Sequence, residues 1–480
     1  MNDSLLRLYH QMPAPARSVA ASLRGYYLRW WRYSRETERL VEEAFERERW
    51  SPEQWKAWQE KRLAYMLHRA ATKVPYYREH WLERRRQGDS ASLEVLENWP
   101  VLKKEALRAN PHAFIVEGYN TRWMFEEHTS GTTGTPLILW CTREMEQLWY
   151  ALTEARWRRW YDISRHDRWA IIGGQQVVPF SQQSPPFWVW NAGLKQLYLS
   201  AVHARPDFLR HYLDAIQRYL IVYLYGYSST LYWLALQALE SGVRLSLKVV
   251  ITNAEPLYDY QREVISRAFN CPVRETYGLG EMACAVSECE HDNLHLWPEA
   301  GYVELLNEYD QPVQRGASGR LVCTGLLNDA MPLIRYEVKD MAQLPAADSV
   351  CLCGRGLPLV EKIIGRLDDV LLTKDGRRIA LLDVIFGSHL HVREAQIIQE
   401  TLDRITVKVV PADGWCEKDE QGIRSALRQR VGEVEVTVET VSEIERTWAG
   451  KFRIIISKVS SEPSNSNEHH LRLRQYARPN

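Results

Sequence analysis

The chain has no surplus of either charge: 61 Lys and Arg stand against 61 Asp and Glu in 480 residues, a formal net charge of +0. A partner held along a phosphate backbone draws on surplus cations, so the balance argues against nucleic acid. Cysteine is scarce as well. Eight thiols in so long a chain are not a disulfide framework, and the N-terminus lacks the apolar core and small-residue cleavage site of a secretory signal; a reducing cytoplasm is expected. No apolar run reaches the roughly 20 residues that span a bilayer. The longest candidates, such as Leu220 to Tyr227, are short and rich in Tyr. Also missing is the Gly-Lys-Ser/Thr ending of a Walker phosphate loop.

What the chain does hold is aromatic and patterned. Nineteen Trp and twenty-four Tyr are enough to line pockets as well as to fill cores. The length exceeds what one core supports and implies two or three domains. Residues 1–35 carry six Arg against one acid, Asp3, with Tyr26, Tyr27, Trp30 and Trp31 interleaved. A basic amphipathic helix of that kind either lies on an anionic membrane surface as a peripheral contact or packs on its own domain with its arginines solvated. From 36 to 110, Leu, Trp and Tyr recur at helical spacing among many charges.

The densest polar motif is Thr129-Ser130-Gly131-Thr132-Thr133-Gly134-Thr135-Pro136, leading into the apolar Leu137-Ile138-Leu139-Trp140. Glycines let a backbone turn its N–H groups inward as an anion-binding nest and the hydroxyls add donors, so the loop suits phosphate. An ordinary surface turn has the same composition, and the neighbours must decide. Beyond it a helix over 144–160 is followed by strands at 170–174, 220–225 and 247–251, with helices at 231–240 and 258–269. Such alternation implies α/β layers on largely parallel strands, whose ligands sit beyond the strands' carboxyl ends. Thr252-Asn253-Ala254-Glu255-Pro256 follows one strand there, and Glu275-Thr276-Tyr277-Gly278-Leu279-Gly280-Glu281 follows the short strand Val273-Arg274. Trp188, Trp190, Tyr225 and Tyr227 are candidates for the wall of an apolar slot, or equally for packing.

In this order the motifs resemble the adenylate-forming superfamily of acyl-CoA synthetases, peptide-synthetase adenylation domains and luciferases. Within it they look most like the phenylacetate-CoA ligase branch, including its capsule-biosynthesis relatives. The resemblance covers roughly 70 to 455 and takes in Ala70 to Glu79, with Val74-Pro75-Tyr76-Tyr77-Arg78, and Trp99-Pro100-Val101-Leu102-Lys103-Lys104-Glu105-Ala106-Leu107-Arg108, neither expected to carry chemistry. It implies an enzyme that activates a small carboxylic acid with ATP as an acyl-adenylate and passes the acyl group to coenzyme A. The alternatives are an amine or sugar hydroxyl acceptor in cell-envelope polysaccharide biosynthesis, and a non-catalytic nucleotide-binding homologue.

By the same resemblance Thr129, Ser130, Gly131, Thr132, Thr133 and Gly134 hold phosphates, and Ala254, Glu255, Thr276, Tyr277 and Gly278 bind the nucleotide, with Tyr277 flanking adenine. Asp340, closing Arg335-Tyr336-Glu337-Val338-Lys339-Asp340, accepts both ribose hydroxyls, and Arg366 contacts phosphate or ribose. Glu281 is catalytic as a Mg²⁺ ligand, because a triphosphate must be partly neutralised before its α-phosphorus accepts a carboxylate. In Gly450-Lys451 the lysine matches the catalytic cation that a closing lid delivers, with the hinge at Asp368. Two positions depart from the pattern. Asn253 replaces a glycine, and Thr135 stands where ligases of the family commonly carry Lys, a change shared with capsule-assembly relatives that bears on acceptor and substrate.

Cysteine, though scarce, is locally concentrated. Cys351-Leu352-Cys353 with Cys289 and one of His291 or His295 offers a tetrahedral Cys₃His zinc set. Resembling family members hold zinc by a Cys, a His six residues later and Cys-x-Cys-Gly-Arg, which selects Cys289, His295, Cys351 and Cys353 in a structural role. Further on, Asp375-Gly376 signals a hairpin, and alternating runs at 405–410 and 434–441 flank a helix at 421–431. The expected fold is α/β. A helical segment 1–65 packs on a large adenylate-forming domain 66–364 of layered sheets and helices, followed by a small mobile α+β lid domain 365–459 and a disordered polar tail 460–480. A homodimer is compatible with this reading.

Overall fold

The computed structural model describes residues 3–128, 137–347, 350–366, 371–374, 378–379, 390–447 and 450–459. The phosphate loop 129–136, Asp368, Asp375-Gly376 and the tail 460–480 lie outside the described residues. The chain divides into two compact units, Met1–Leu367 with Glu445–Arg453, and Asp368–Ile444 with Ile454–Asn480. The segment 445–453 thus groups with the first unit and not with its sequence neighbours.

Five helices open the first unit: α1 (Asp3–Gln11), α2 (Ala14–Arg32), α3 (Thr37–Arg47), α4 (Pro52–Lys73) and α5 (Pro75–Arg86). Ser51 and Gln54 cap α4 reciprocally, and Pro52 sits in its first turn, where a missing N–H costs nothing. Val74 is extended because a proline follows it, so α4 stops and α5 starts on either side of one residue. After α6 (Lys104–Ala109), β1 (Phe125–His128) and β2 (Ile138–Cys141) form an antiparallel ribbon. His128 faces Ile138 in that ladder.

Beyond α7 (Arg143–Arg156) comes the main sheet, built from β3 (Trp169–Gly173), β4 (Trp188–Asn191), β5 (Gln196–Ser200), β6 (Tyr223–Gly226), β7 (Val249–Thr252), β8 (Val273–Gly278), β9 (Ala285–Glu288), β10 (Leu294–Leu296) and β14 (Leu359–Val360). Their order is β14-β10-β9-β8-β7-β6-β3-β5-β4. The centre, β5-β3-β6-β7-β8, is parallel, and the flanking pairs are antiparallel. Connections between parallel strands run through α8 (Pro206–Arg218), α9 (Ser228–Ser241) and α10 (Asp259–Phe269). Leu213, Leu231, Leu234, Ile265 and Phe269 of these helices share a core with Leu224 and Val250 of the strands. Val249–Thr252 is buried throughout, which is why the strand reads as an unbroken apolar run. A second sheet, antiparallel, joins β11 (Gly301–Leu306), β12 (Ser318–Gly325), β13 (Tyr336–Gln343) and β15 (Lys362–Arg366) in that order.

In the second unit, β16 (Leu371–Leu372) pairs with β17 (Arg378–Ile379). A sheet ordered β20-β19-β18-β21 is made of β18 (Val392–Thr401), β19 (Arg404–Pro411), β20 (Glu435–Thr440) and β21 (Ile455–Ser457). Helix α11 (Glu417–Val431) buries Ile423 and Leu427 in a core with Ile397, Ile405 and Val407. Among the described residues no helix is long and apolar enough to cross a membrane.

Candidate functional site

The parallel pairing of β6, β7 and β8 ends level, with Gly226 beside Thr252 and Thr252 beside Glu275. The expected short strand at 273–274 runs on to Gly278, so Thr276, Tyr277 and Gly278 lie within β8 and not in a turn after it. The cause is a change of partner: pairing with β7 stops at Glu275, and β9 takes over, antiparallel, from Thr276 opposite Ser287. Thr276 Oγ1 donates to the Thr252 carbonyl at 2.9 Å, and Asn253 Nδ2 donates to Thr276 Oγ1 at 3.3 Å, fixing the turn on the strand. Ala254 in that turn has φ +66°, a left-handed conformation that costs a non-glycine residue energy and is typical of functional turns. At Gly278 a Cβ would stand 2.9 Å from the Trp157 ring, so the strand accepts no side chain there.

Asp340 reaches the same place from the second sheet. The β12–β13 register jumps from Arg320 opposite Met341 to Val322 opposite Glu337, a bulge that re-aims residues 338–340. Lys339 takes φ +65° within it. Tyr277 Oη donates to Asp340 Oδ2 at 2.6 Å, and Arg366, the cross-strand neighbour, brings its Nε to 3.9 Å from Oδ1. Burial raises the Asp340 pKa; Tyr277 and Arg366 lower it, and nearby Glu281 pushes it up again. Glu281 has a side chain only 6% exposed and accepts from Tyr336 Oη at 2.6 Å. Lys104 at the start of α6 brings Nζ to 3.5 Å from the same carboxylate. One hard carboxylate among phosphates is how proteins hold Mg²⁺, and two carboxylates repelling each other at the site would gain from a dication, so the residues fit that ion.

Lys451 belongs to the 445–453 segment. Gly450 before it has φ +76°, and a Cβ there would meet Ala201 at 2.7 Å. The Phe452 N–H donates to Glu255 Oε1 at 2.6 Å, while Ser229 N–H donates to Oε2 at 3.0 Å. Both Glu255 oxygens therefore accept from protein donors, and the carboxylate tethers the Lys451 turn. Lys451 Nζ lies 5.6 Å from the centre of the Tyr227 ring. Burial lowers its pKa, Glu255 raises it, Arg366 lowers it and Asp340 raises it, so the four charges share one neighbourhood.

The ligating atoms of Cys289, His295, Cys351 and Cys353 all lie within 4.8 Å of one another. Cys289 Sγ is 3.5 Å from Cys351 Sγ, and Cys353 Sγ is 3.5 Å from His295 Nε2. A tetrahedron with bonds of about 2.3 Å separates its corners by just under 4 Å, so the donor set fits zinc. His295 Nδ1 stands 3.3 Å from the Leu357 carbonyl, leaving Nε2 toward the thiols. Burial pushes the His295 pKa down to about 4, keeping the imidazole in the neutral form that ligates. Asn293 Nδ2 donates to Cys351 Sγ at 3.4 Å. His291 is exposed and outside the cluster.

Other readings fare differently. Thr129, Ser130, Gly131, Thr132, Thr133, Gly134 and the hinge Asp368 lie outside the described residues. Trp188 and Trp190 stand on the edge strand β4, where Trp188 packs edge-on against Tyr212 and Trp190 stacks on Tyr219, so they serve packing. Sequence reading assigned no role to Lys104 or Tyr336; the signals were a lysine pair at the start of α6 and the place of Tyr336 inside the Arg335–Asp340 motif.

Residues 56–328 match the family model described as AMP-binding enzyme, and residues 371–458 match the CapK C-terminal domain. Protein CapK of Staphylococcus aureus is 26% identical over 385 residues, covering 78% of this chain and 82% of that protein. A phenylacetate-coenzyme A ligase of Pseudomonas putida is 24% identical over 413 residues, covering 84% and 85%. Among solved structures, 2-hydroxyisobutyryl-CoA ligase in the postadenylation state with R3-HIB-AMP has a similar fold, with a TM-score of 0.67 at 22% identity over 86% of this chain and 91% of that one.

Proposed function

The chain belongs to the AMP-binding enzyme family and is an adenylate-forming ligase, and from that premise we propose that it activates a small carboxylic acid with ATP and hands the acyl group to coenzyme A. The observation that carries the proposal is the convergence of the Tyr277–Asp340 pair, Glu281 and Lys451 at the carboxyl ends of β6–β8. An acid oxygen attacks the α-phosphorus of ATP, the bond from that phosphorus to the bridging oxygen breaks, and pyrophosphate leaves with the electron pair. The thiol of coenzyme A then attacks the acyl carbon, its proton passes to solvent and AMP leaves.

Each residue has a role set by its surroundings. Asp340 is oriented by Tyr277 to accept the ribose hydroxyls, and Tyr277 with Gly278 borders the base. Thr129–Gly134 supplies phosphate donors. Glu281 would hold Mg²⁺, which when bound neutralises the triphosphate. Lys451 and Arg366 meet charge that develops between the carboxylate and the α-phosphate, as preorganised cations do. Asp368 would be the pivot between the two units. Cys289, His295, Cys351 and Cys353 would hold a structural zinc with no open position, a set of reduced thiols that suits a reducing cytoplasm.

A second acceptor has its own support. The second unit matches the CapK C-terminal domain, and Thr135 stands in the phosphate loop, which favours an amine or sugar hydroxyl in cell-envelope polysaccharide synthesis. Incubation of the enzyme with ATP, Mg²⁺ and a panel of aryl and short acyl acids, trapped with hydroxylamine or coenzyme A, separates the two. A hydroxamate together with a thioester supports coenzyme A; a hydroxamate without thioester supports the other acceptor. No hydroxamate and no pyrophosphate from any acid would refute activation itself.

A further inference from the structure

Helix α2 turns two unlike faces to its surroundings. One is fixed on the first unit. At Gly25 a Cβ would sit 1.7 Å from the Asn191 side-chain oxygen, so the backbone of the helix lies directly on the β4–β5 hairpin. Trp190 N–H donates to Ser18 Oγ at 3.2 Å and Ala192 N–H to Ser22 Oγ at 3.0 Å. Arg17, 5% exposed, donates to Gln182 Oε1 at 2.9 Å, and α1 is anchored by Tyr9 Oη on the Val177 carbonyl at 3.0 Å.

Away from that contact runs an exposed apolar stripe: Val19 at 60%, Leu23 at 67%, Tyr26 at 55%, Tyr27 at 45% and Trp30 at 54%. The positions advance by four, three, one and three residues, which keeps them on one side of a helix. Leu5 and Leu8, three apart on α1, are also exposed by more than half. A contiguous patch of this kind marks something that covers it.

Cations border the stripe. Arg24 lies over the Tyr27 ring at 5.2 Å, and Arg143 of α7 lies over the Trp30 ring at 4.0 Å and donates to the Trp30 carbonyl. Arg7 and Arg29 are exposed as well. The first 35 residues hold six Arg and a single acid in a chain whose total charge is balanced; Arg17 is buried against the first unit and Arg32 packs over Tyr150, while Arg7, Arg24 and Arg29 are exposed on the helices that carry the apolar residues.

We propose that this face of α1 and α2 docks in the plane of an anionic lipid bilayer. Leucines and aromatic rings enter the boundary between headgroups and acyl chains, and the arginines meet the lipid phosphates and carboxylates. Tyr and Trp, apolar in body and polar at one end, belong at that depth. A second copy is a poorer occupant, because each stripe would press its arginines against those of the other. A groove-bearing protein partner is an outcome that the test separates.

The test is co-sedimentation of the full chain with phosphatidylcholine vesicles, with and without about one-third phosphatidylserine. Wild-type protein should pellet with the anionic vesicles, and progressively less as salt is raised. Leu23→Gln/Trp30→Gln should lower vesicle affinity about tenfold or more, with thermal midpoint and pyrophosphate exchange unchanged. Arg24→Glu/Arg29→Glu should weaken it while leaving the apolar stripe intact. Failure of the wild type to pellet with anionic vesicles overturns the proposal. So does equal pelleting of the Leu23/Trp30 variant, or a wild-type oligomer in light scattering that the same variant dissolves.

Discussion

The lysine proposed to meet the charge of adenylation sits where burial works against its own. Lys451 is lowered below the ordinary lysine pKa chiefly by burial, with Glu255 pulling it back up. Its ammonium is therefore lost as pH rises through that lowered value, and adenylation should fall on the alkaline side. Glu255→Gln removes the supporting charge but keeps an oxygen for the Phe452 N–H, so the alkaline limb of kcat/KM should move to lower pH; an unmoved limb would deny the coupling. Asp340 works in the opposite sense. Its raised pKa means that ionisation costs folding stability as pH climbs from the ordinary carboxylate range to the raised value. Asp340→Asn should raise the thermal midpoint above that window while weakening nucleotide binding in calorimetry. A lowered midpoint there would contradict the assigned charge state. Lys451 and Asp340 could be nominated from the sequence because each lies in a contiguous motif. Lys104 and Tyr336 could not, because they meet Glu281 across 177 and 55 residues, a proximity that only the fold creates.

Elements place these groups, and their supports are buried. Arg156 of α7 is fully buried between Glu299, at 2.9 Å, and Glu48, at 3.0 Å. Arg355, just after the cysteine pair, brings its Nε to 3.4 Å from Glu48 and stacks over Trp160 at 4.2 Å, while Trp160 meets the His295 ring edge-on. Arg156→Ala removes the cation shared by two buried carboxylates, leaving Glu48 to Arg355 and Glu299 to Arg47, and should cost about 3 kcal/mol in urea unfolding. A cost below about 1 kcal/mol would show that solvent reaches the pair. Elemental analysis should find one zinc per chain, lost in Cys351→Ser with a lower thermal midpoint. No zinc in the wild type would leave a cluster of plain thiols. Alternation of strands and helices was readable because strands such as Val249–Thr252 are buried on both faces. The length of β8 was not, since Thr276–Gly278 becomes strand through pairing with β9, which local pattern does not announce. β1 was hidden likewise, since Glu126 and Glu127 carry no apolar pattern and become strand by pairing with Trp140 and Leu139.

For the whole molecule, balanced charge and scarce cysteine bounded the class, and the order of motifs carried the family. The division into units was less readable: the 445–453 segment groups with the first unit because Phe452 and Gly450 contact Glu255 and Ala201, far away in sequence. That grouping puts Lys451 in one neighbourhood with Asp340 and Arg366, on which the proposed chemistry depends. Exchange of labelled pyrophosphate into ATP, measured with the acid panel, reads that chemistry without assuming an acceptor. The expected result is exchange with at least one acid, none without acid, and a drop of about a hundredfold or more in Lys451→Ala with ATP still bound. Exchange that is absent with every acid, or undiminished in Lys451→Ala, would contradict it.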